Sequence, residues 1–249
     1  MSVFKRKMSH FDGSDMFGFE DEADFGDDQS NFFQAGSYRD STLFLVDCTE
    51  SMFQNEDADG LTLFQKCMKV IQNMYQRQIY GSDKDLLGIV FFGTKENNTT
   101  EDFQHIFMLQ DLDQPSAERI KKIETFSQEF DASVFNTEYG HSDEFGLDKV
   151  FWYCSNLFAQ VTQKIDTKRI MMFTHNPQPH EGNKSFEKLA KNKAKDLNDI
   201  GIVLELIPLT LDGEQFDYSK FYGDVLMMSE EQISALPDPA ENFEELEKT

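Results

Sequence analysis

The stretch Ser41-Thr42-Leu43-Phe44-Leu45-Val46-Asp47-Cys48-Thr49-Glu50-Ser51 is an apolar run that ends at an aspartate. Its apolar part is too short for a helix and is continuous rather than alternating, which is typical of a central strand covered by helices on both faces. Because ligands of such sheets bind beyond the carboxyl ends of the strands, Asp47, Thr49 and Ser51 are the candidate site. Their oxygens suit a divalent cation. The alternative is a structural carboxylate that bonds the amides of the following turn.

Two further strand patterns follow the first one closely. After a helix that begins behind Thr62, Leu86–Phe92 and Phe103–Leu109 are separated only by the polar loop 93–102. That loop is too short for a helical crossover, so we expect an antiparallel pair with the later strand at the sheet edge. Gln104 and His105 would then be edge-strand residues that face solvent.

The remainder of the chain alternates helix and strand patterns. We expect helices after Pro115 and from about Asp143, a looser region between them, and a strand at Lys168–Thr174. A helix ended by Gly201 and a strand at 202–209 follow, and 216–226 supplies a last short helix or strand. The prediction is one doubly wound α/β domain at 37–228, with a mostly parallel sheet, one antiparallel edge strand and helices on both faces.

Charge is distributed unevenly along the 249 residues, whose formal net charge is −23. Residues 8–38 hold eight acidic residues and no Lys or Arg, and residues 229–249 hold seven acidic residues against one lysine. We predict an acidic disordered tail at 1–36 and an acidic tail or shortened linker at 229–249. Since the body is acidic as well, the chain alone is a poor general DNA binder. No run reaches membrane-spanning length, and the three cysteines indicate reduced thiols in an intracellular protein.

The sequence contains few groups suited to catalysis. It has no G-x-x-x-x-G-K-[ST] motif, and no G-x-G-x-x-G follows the first strand, so nucleotide binding lacks its usual phosphate cradle and no cofactor is expected. An aspartyl phosphohydrolase would need an acid two residues after Asp47, where Thr49 stands. A metal site would need another carboxylate, but the fourth strand ends at Thr174-His175-Asn176. His175 and His180 lack a third partner for zinc and are expected at the surface.

A basic row follows the penultimate helix. Lys184, Lys188, Lys191 and Lys195 recur at spacings of four, three and four, so they share one helix face. A solvated face is one interpretation. In so acidic a body, a docking surface for an acidic partner or a phosphate backbone is the other.

Several motifs together resemble a known family. The pattern Asp47-x-Thr49-x-Ser51, with the antiparallel edge pair, is similar to a von Willebrand A domain, whose metal-dependent adhesion site begins D-x-S-x-S. Further stretches resemble the N-terminal domain of the seventy-kilodalton subunits of the Ku DNA-end-binding heterodimer, and they lie at 82–94, 109–115, 168–174, 196–202 and 216–224.

This resemblance implies a nuclear subunit that acts in double-strand break repair by non-homologous end joining and in telomere maintenance. It implies a heterodimer with the larger Ku subunit, DNA ends held by the full complex, and a partner-facing surface at 185–200 used by end-joining or telomere proteins, with no membrane. The lyase lysine of the family has no counterpart, since no lysine occurs between residues 8 and 65. The expectation is a non-catalytic scaffold, with a metal-dependent ligand-binding A domain and an aspartate-dependent phosphohydrolase as alternatives.

Overall fold

A mixed five-stranded sheet organises the part of the chain that the computed structural model describes, which is residues 39–54, 60–81, 84–211 and 215–236 together with Phe243. The strands are β1 (Asp40–Asp47), β2 (Leu86–Phe92), β3 (Ile106–Asp113), β4 (Thr167–Thr174) and β5 (Ile202–Pro208), in the order β3-β2-β1-β4-β5. The β2–β3 pair is antiparallel and the other neighbours are parallel. The predicted sheet, with its antiparallel edge strand, is confirmed.

Helices cover both faces of this sheet. They are α1 (Ser51–Gln54), α2 (Leu63–Gly81), α3 (Ala117–Ser127), α4 (Ala132–Glu138), α5 (Leu147–Gln160), α6 (Lys184–Asp199), α7 (Tyr222–Val225) and α8 (Glu230–Ser234). Phe44 and Val46 of β1 pack into the layer under α2 and α3, whereas Leu43 and Leu45 pack into the layer under α5 and α6. Because β1 is buried on both faces, its apolar run is continuous. None of the described helices combines the length and apolarity needed to cross a membrane.

The start of β3 differs from the prediction. A 3₁₀ turn at Glu101–Phe103 precedes it, and the Phe103 ring packs 5.1 Å from the ring of Trp152. His105 follows with a φ of 62° and its Nδ1 lies 2.9 Å from the Thr94 carbonyl oxygen. Gln104 and His105 are therefore not edge-strand residues, because burying Phe103 requires a turn before the strand begins.

Two short helices lie where the sequence pattern gave none. In the region expected to be loose, Asp131 caps α4 by accepting from the amides of Ser133 and Val134. Within 229–249, Ser229 forms a capping box with Gln232 at the start of α8. Phe243 is buried in the layer under α2 and α3, so this part of the expected acidic tail contacts the domain. The expected tail at 1–36 lies outside the described residues.

Arg119 of α3 joins the edge of the sheet to its helices. Its Nε donates to the Gln110 side chain at 2.9 Å, and one terminal nitrogen donates to the carbonyl oxygens of Leu87 at 2.7 Å and Asp111 at 2.6 Å. Gln110 donates back to the Arg119 carbonyl at 2.9 Å. These contacts lie where the β2–β3 register shifts, so the guanidinium satisfies carbonyls that the irregular ladder leaves unpaired.

We expect Arg119→Met to lower the free energy of unfolding by about 2 kcal/mol, because the Leu87 carbonyl loses its partner inside the protein. Urea unfolding of the variant measures this loss. Arg77→Met, which removes an exposed arginine of α2, is the matched control and should change stability by less than about 0.5 kcal/mol. Equal effects of the two substitutions would contradict the role assigned to Arg119.

Candidate functional site

Asp47 ends β1 at the carboxyl edge of the sheet and is almost fully buried. One carboxyl oxygen, Oδ1, accepts from the Thr49 amide at 2.9 Å and from the Thr49 hydroxyl at 2.8 Å. The other, Oδ2, accepts from the hydroxyl of Thr174 at 2.6 Å. Since Thr174 is the last residue of β4, the carboxyl group ties together the ends of two neighbouring strands and the turn that follows β1.

The turn after Asp47 brings the predicted site residues together. The Thr49 hydroxyl lies 3.2 Å from the Ser51 hydroxyl, and the Thr49 carbonyl accepts from the Met52 amide at 3.1 Å to begin α1. The Cys48 amide donates to the Phe92 carbonyl at 2.8 Å, which anchors the turn to the end of β2. The short spacing of a carboxylate and two hydroxyls thus forms a locally closed hydrogen-bonded turn.

Burial dominates the electrostatics of this turn. It raises the pKa of Asp47, while the hydrogen bonds from Thr174 and Thr49 and the nearby His175 partly offset the shift. Burial and then the Asp47 charge raise the pKa of Tyr222 well above its usual value. The low polarity of these surroundings therefore increases the free-energy cost of ionising the Asp47 carboxyl group.

The donor set does not fit a hard divalent cation. The Asp47 carboxyl group already accepts three hydrogen bonds, and the described residues contain no group of three His, Cys, Asp or Glu that could hold a metal ion. The Nδ1 atom of His141 lies 2.8 Å from the Cys48 carbonyl oxygen, and that of His175 lies 2.9 Å from the Leu209 carbonyl oxygen. Ca²⁺ and Mg²⁺ prefer several oxygens that include carboxylates. The arrangement fits the structural interpretation of Asp47 better than an adhesion-type metal site.

His180 is buried rather than at the surface, contrary to expectation. Its Nε2 lies 3.2 Å from the Leu147 amide at the start of α5, where Gly146 offers no side chain as a cap. The ring is also flanked by the aromatic rings of Phe145 and Phe221. Burial lowers the pKa of His180, which keeps Nε2 available as an acceptor for that amide. The residue is a helix cap, and the loop sequence alone gave no sign of it.

The four lysines of α6 have different surroundings. Lys184, Lys188 and Lys195 are exposed. Lys191 is half-buried: its Nζ lies 2.6 Å from the Asp224 carboxylate and 5.9 Å from the centre of the Phe221 ring. Lys191 therefore helps to hold α7 against α6, and the predicted basic face consists of the other three residues, which we name the lysine row.

The side of α6 next to α5 carries exposed apolar residues that the sequence pattern did not single out. Leu189 is 45% exposed and Phe186 is 43% exposed, while Trp152 of α5 is 39% exposed. A cleft of about 200 Å³ lies between the two helices, lined by Trp152, Leu189, Asn192, Lys193, Asp148 and Asp196. We name it the α5–α6 cleft. The buried residues of α6 are Ala190, Ala194 and Leu197.

The solved structures that this chain resembles define the class of its fold. One is the VWA domain of SpRpn10, with a TM-score of 0.50, 15% identity and coverage of 78% of this chain and 84% of that chain. Another is the pilus adhesin SpaC from Lactobacillus rhamnosus GG, with a TM-score of 0.55, 11% identity and coverage of 86% and 31%. The protein has a von Willebrand A-type fold.

Within that class, the chain belongs to the Ku70/Ku80 N-terminal alpha/beta domain family, whose model matches residues 41–247. It is 39% identical over 212 residues to the X-ray repair cross-complementing protein 6 of Mus musculus, covering 85% of this chain and 34% of that protein. It is 34% identical over 224 residues to the ATP-dependent DNA helicase 2 subunit 1 of Rhipicephalus appendiculatus, covering 90% and 36%. The chain thus spans about a third of the length of these relatives. The resemblance stated from the sequence motifs is confirmed.

We expect Asp47→Asn to gain stability relative to the natural protein as the pH rises. A pKa that is raised by folding contributes stability below the unfolded value of 3.8 and loses it as the pH rises through the folded pKa. Asparagine cannot ionise, and it can still accept from Thr49 while donating to Thr174. The difference in unfolding free energy between variant and natural protein should therefore move in favour of the variant as the pH rises above 3.8, measured by urea unfolding at a series of pH values.

Asp47→Ala provides the comparison for this series. It leaves the Thr49 and Thr174 donors unpaired, so it should cost about 2–4 kcal/mol at low pH, and this cost should fall with rising pH as for Asp47→Asn, because alanine cannot ionise either. A penalty of Asp47→Asn that grows with pH would show that the ionised carboxylate is the stabilising form and would contradict the assignment.

Proposed function

We propose that this chain is a non-catalytic protein-interaction domain of a Ku-type subunit that acts in double-strand break repair by non-homologous end joining and in telomere maintenance. The observation that carries the proposal is the lysine row of α6, exposed on a chain whose formal net charge is −23. A local positive surface on an acidic body attracts acidic partners. Membership of the Ku family and the name of the mouse relative, a repair protein, support the placement in DNA repair.

The larger Ku subunit is the proposed companion, in a heterodimer that works in the nucleus. DNA ends are bound by the full complex rather than by this domain, because the acidic body lacks the array of cations that duplex binding requires. The domain then serves as a peripheral scaffold that presents α6 to end-joining or telomere proteins.

Catalysis and cofactors have no part in the proposal. Several relatives are called ATP-dependent DNA helicase subunits, but this sequence contains no P-loop motif. Asp47 is also poorly placed as a phosphoryl acceptor, since a nucleophilic carboxylate must reach its substrate and this one is almost fully buried.

Charge reversal of the lysine row tests the scaffold function. We expect Lys184→Glu combined with Lys188→Glu to reduce end joining of linear DNA about five-fold, in nuclear extract that is depleted of the endogenous heterodimer and supplied with the variant one. Lys191 is left unchanged because it bonds Asp224. Co-purification with the larger subunit should be unaffected, since the row faces solvent.

Lys84→Glu combined with Lys121→Glu makes the same charge change at exposed positions outside α6 and is the matched control. It should join DNA ends as well as the natural protein. Normal joining by the α6 variant, or equal loss in both variants, would count against α6 as the recruiting surface.

A further inference from the structure

On the basis of the proposed function, the exposed faces of α6 indicate the chemistry of its partner. The helix is held to the domain by a narrow apolar strip of Ala190, Ala194 and Leu197. Most of its circumference is therefore exposed. At 100° per residue, Lys184, Lys188 and Lys195 fall within about 40° of one another, and Leu189 lies about 100° from Lys188. Asn192, which also lines the α5–α6 cleft, lies between the two sets. A segment that crosses the helix at this point contacts both.

Around the α5–α6 cleft, the lysine row is the charged group that lacks ion-pair partners among the described residues. Asp196 lies 3.5 Å from the Lys193 nitrogen, and Asp224 is paired with Lys191. Asp148 lies in the first turn of α5, where the helix dipole favours a negative charge. Lys184, Lys188 and Lys195 have no ion-pair partner within the described ranges. A partner that brings carboxylates to the row therefore gains attraction without displacing an internal ion pair.

The α5–α6 cleft requires an apolar side chain on the partner in addition to negative charge. Trp152 and Leu189 form its apolar walls, and the Lys149 nitrogen lies 4.9 Å from the centre of the Trp152 ring on the α5 side. Its volume of about 200 Å³ is below the usual range for small-molecule sites but is enough for one bulky side chain. Tryptophan is enriched at the positions that contribute most to binding in protein interfaces, so the partly exposed Trp152 suits an anchor site for a peptide.

We propose that α6 and the α5–α6 cleft together bind an acidic segment of a partner protein, which inserts one bulky apolar side chain between Trp152 and Leu189 and sets its carboxylates against Lys184 and Lys188. Duplex DNA is the less favourable occupant. The three residues of the lysine row give few phosphate contacts, the surrounding body repels a polyanion, and a phosphate backbone has nothing to place in an apolar cleft.

Peptide selection tests this chemistry and needs no candidate partner. Random twelve-residue peptides displayed on phage are selected on the heterodimer that contains this chain, and the consensus peptide is synthesised and titrated by fluorescence anisotropy. We expect a consensus with at least two Asp or Glu residues and one Trp, Phe or Leu. Lys184→Glu combined with Lys188→Glu should raise its Kd at least ten-fold and should weaken the salt dependence of binding.

Leu189→Ser should also raise the Kd about ten-fold but leave the salt dependence unchanged, because it removes apolar contact and no charge. Leu189 is 45% exposed and is not one of the buried residues of α6, so this variant is expected to fold normally. Lys84→Glu combined with Lys121→Glu should bind the peptide as the natural protein does. The proposal is overturned if no peptide is enriched, if the consensus lacks acidic residues, or if binding does not depend on both sets of α6 residues.

A twenty-base-pair DNA duplex is titrated in parallel, beyond the amount that saturates the DNA-end site of the heterodimer. Additional duplex binding that is lost with the lysine row would assign α6 to nucleic acid and overturn the peptide proposal. The partner chemistry and the scaffold function fail separately. If the α6 variant loses end joining but the selected peptides have no acidic consensus, the proposed partner chemistry is wrong and the scaffold function stands. If the peptides have an acidic consensus but the α6 variant joins DNA ends normally, the proposed function of α6 in repair is wrong.

Discussion

The hydrogen bonds accepted by the Asp47 carboxyl group join β1, β4 and the turn after β1 at the edge where this class of sheet forms its sites. They use both oxygens of the carboxyl group, and burial makes the ionised form expensive. The Asp47 carboxyl group is therefore bonded inside the fold and is almost fully buried. A reaction at Asp47 would require breaking hydrogen bonds that hold the ends of two strands together.

Helix α6 is attached to the domain by few buried side chains. Two alanines and a leucine attach it to the sheet side of the domain, and small residues let the helix lie close without large apolar side chains. Lys191 contributes to this attachment by pairing with Asp224. The remaining lysines stand out because the rest of the chain is strongly acidic. In the proposed function, this contrast in charge, more than the number of lysines, attracts an acidic partner to α6.

The sequence predicted features that follow from burial and periodicity. The continuous run at 43–46 indicated a strand covered on both faces, and the short loop after β2 indicated the antiparallel edge. Features that depend on contacts distant in the chain could not be read in this way. His180 caps a helix that begins 33 residues earlier, and Arg119 serves carbonyl groups on two strands. The exposure of Leu189 and Trp152 depends on how far α5 covers α6, which helical spacing does not specify.

The structural role of Asp47 is tested most directly by calorimetric titration with Mg²⁺ and Mn²⁺. We expect the natural protein and the Asp47→Asn variant to give the same heats, equal to those of dilution. Micromolar binding of either ion by the natural protein that is lost in the variant would contradict this role and would favour a metal-dependent ligand-binding A domain.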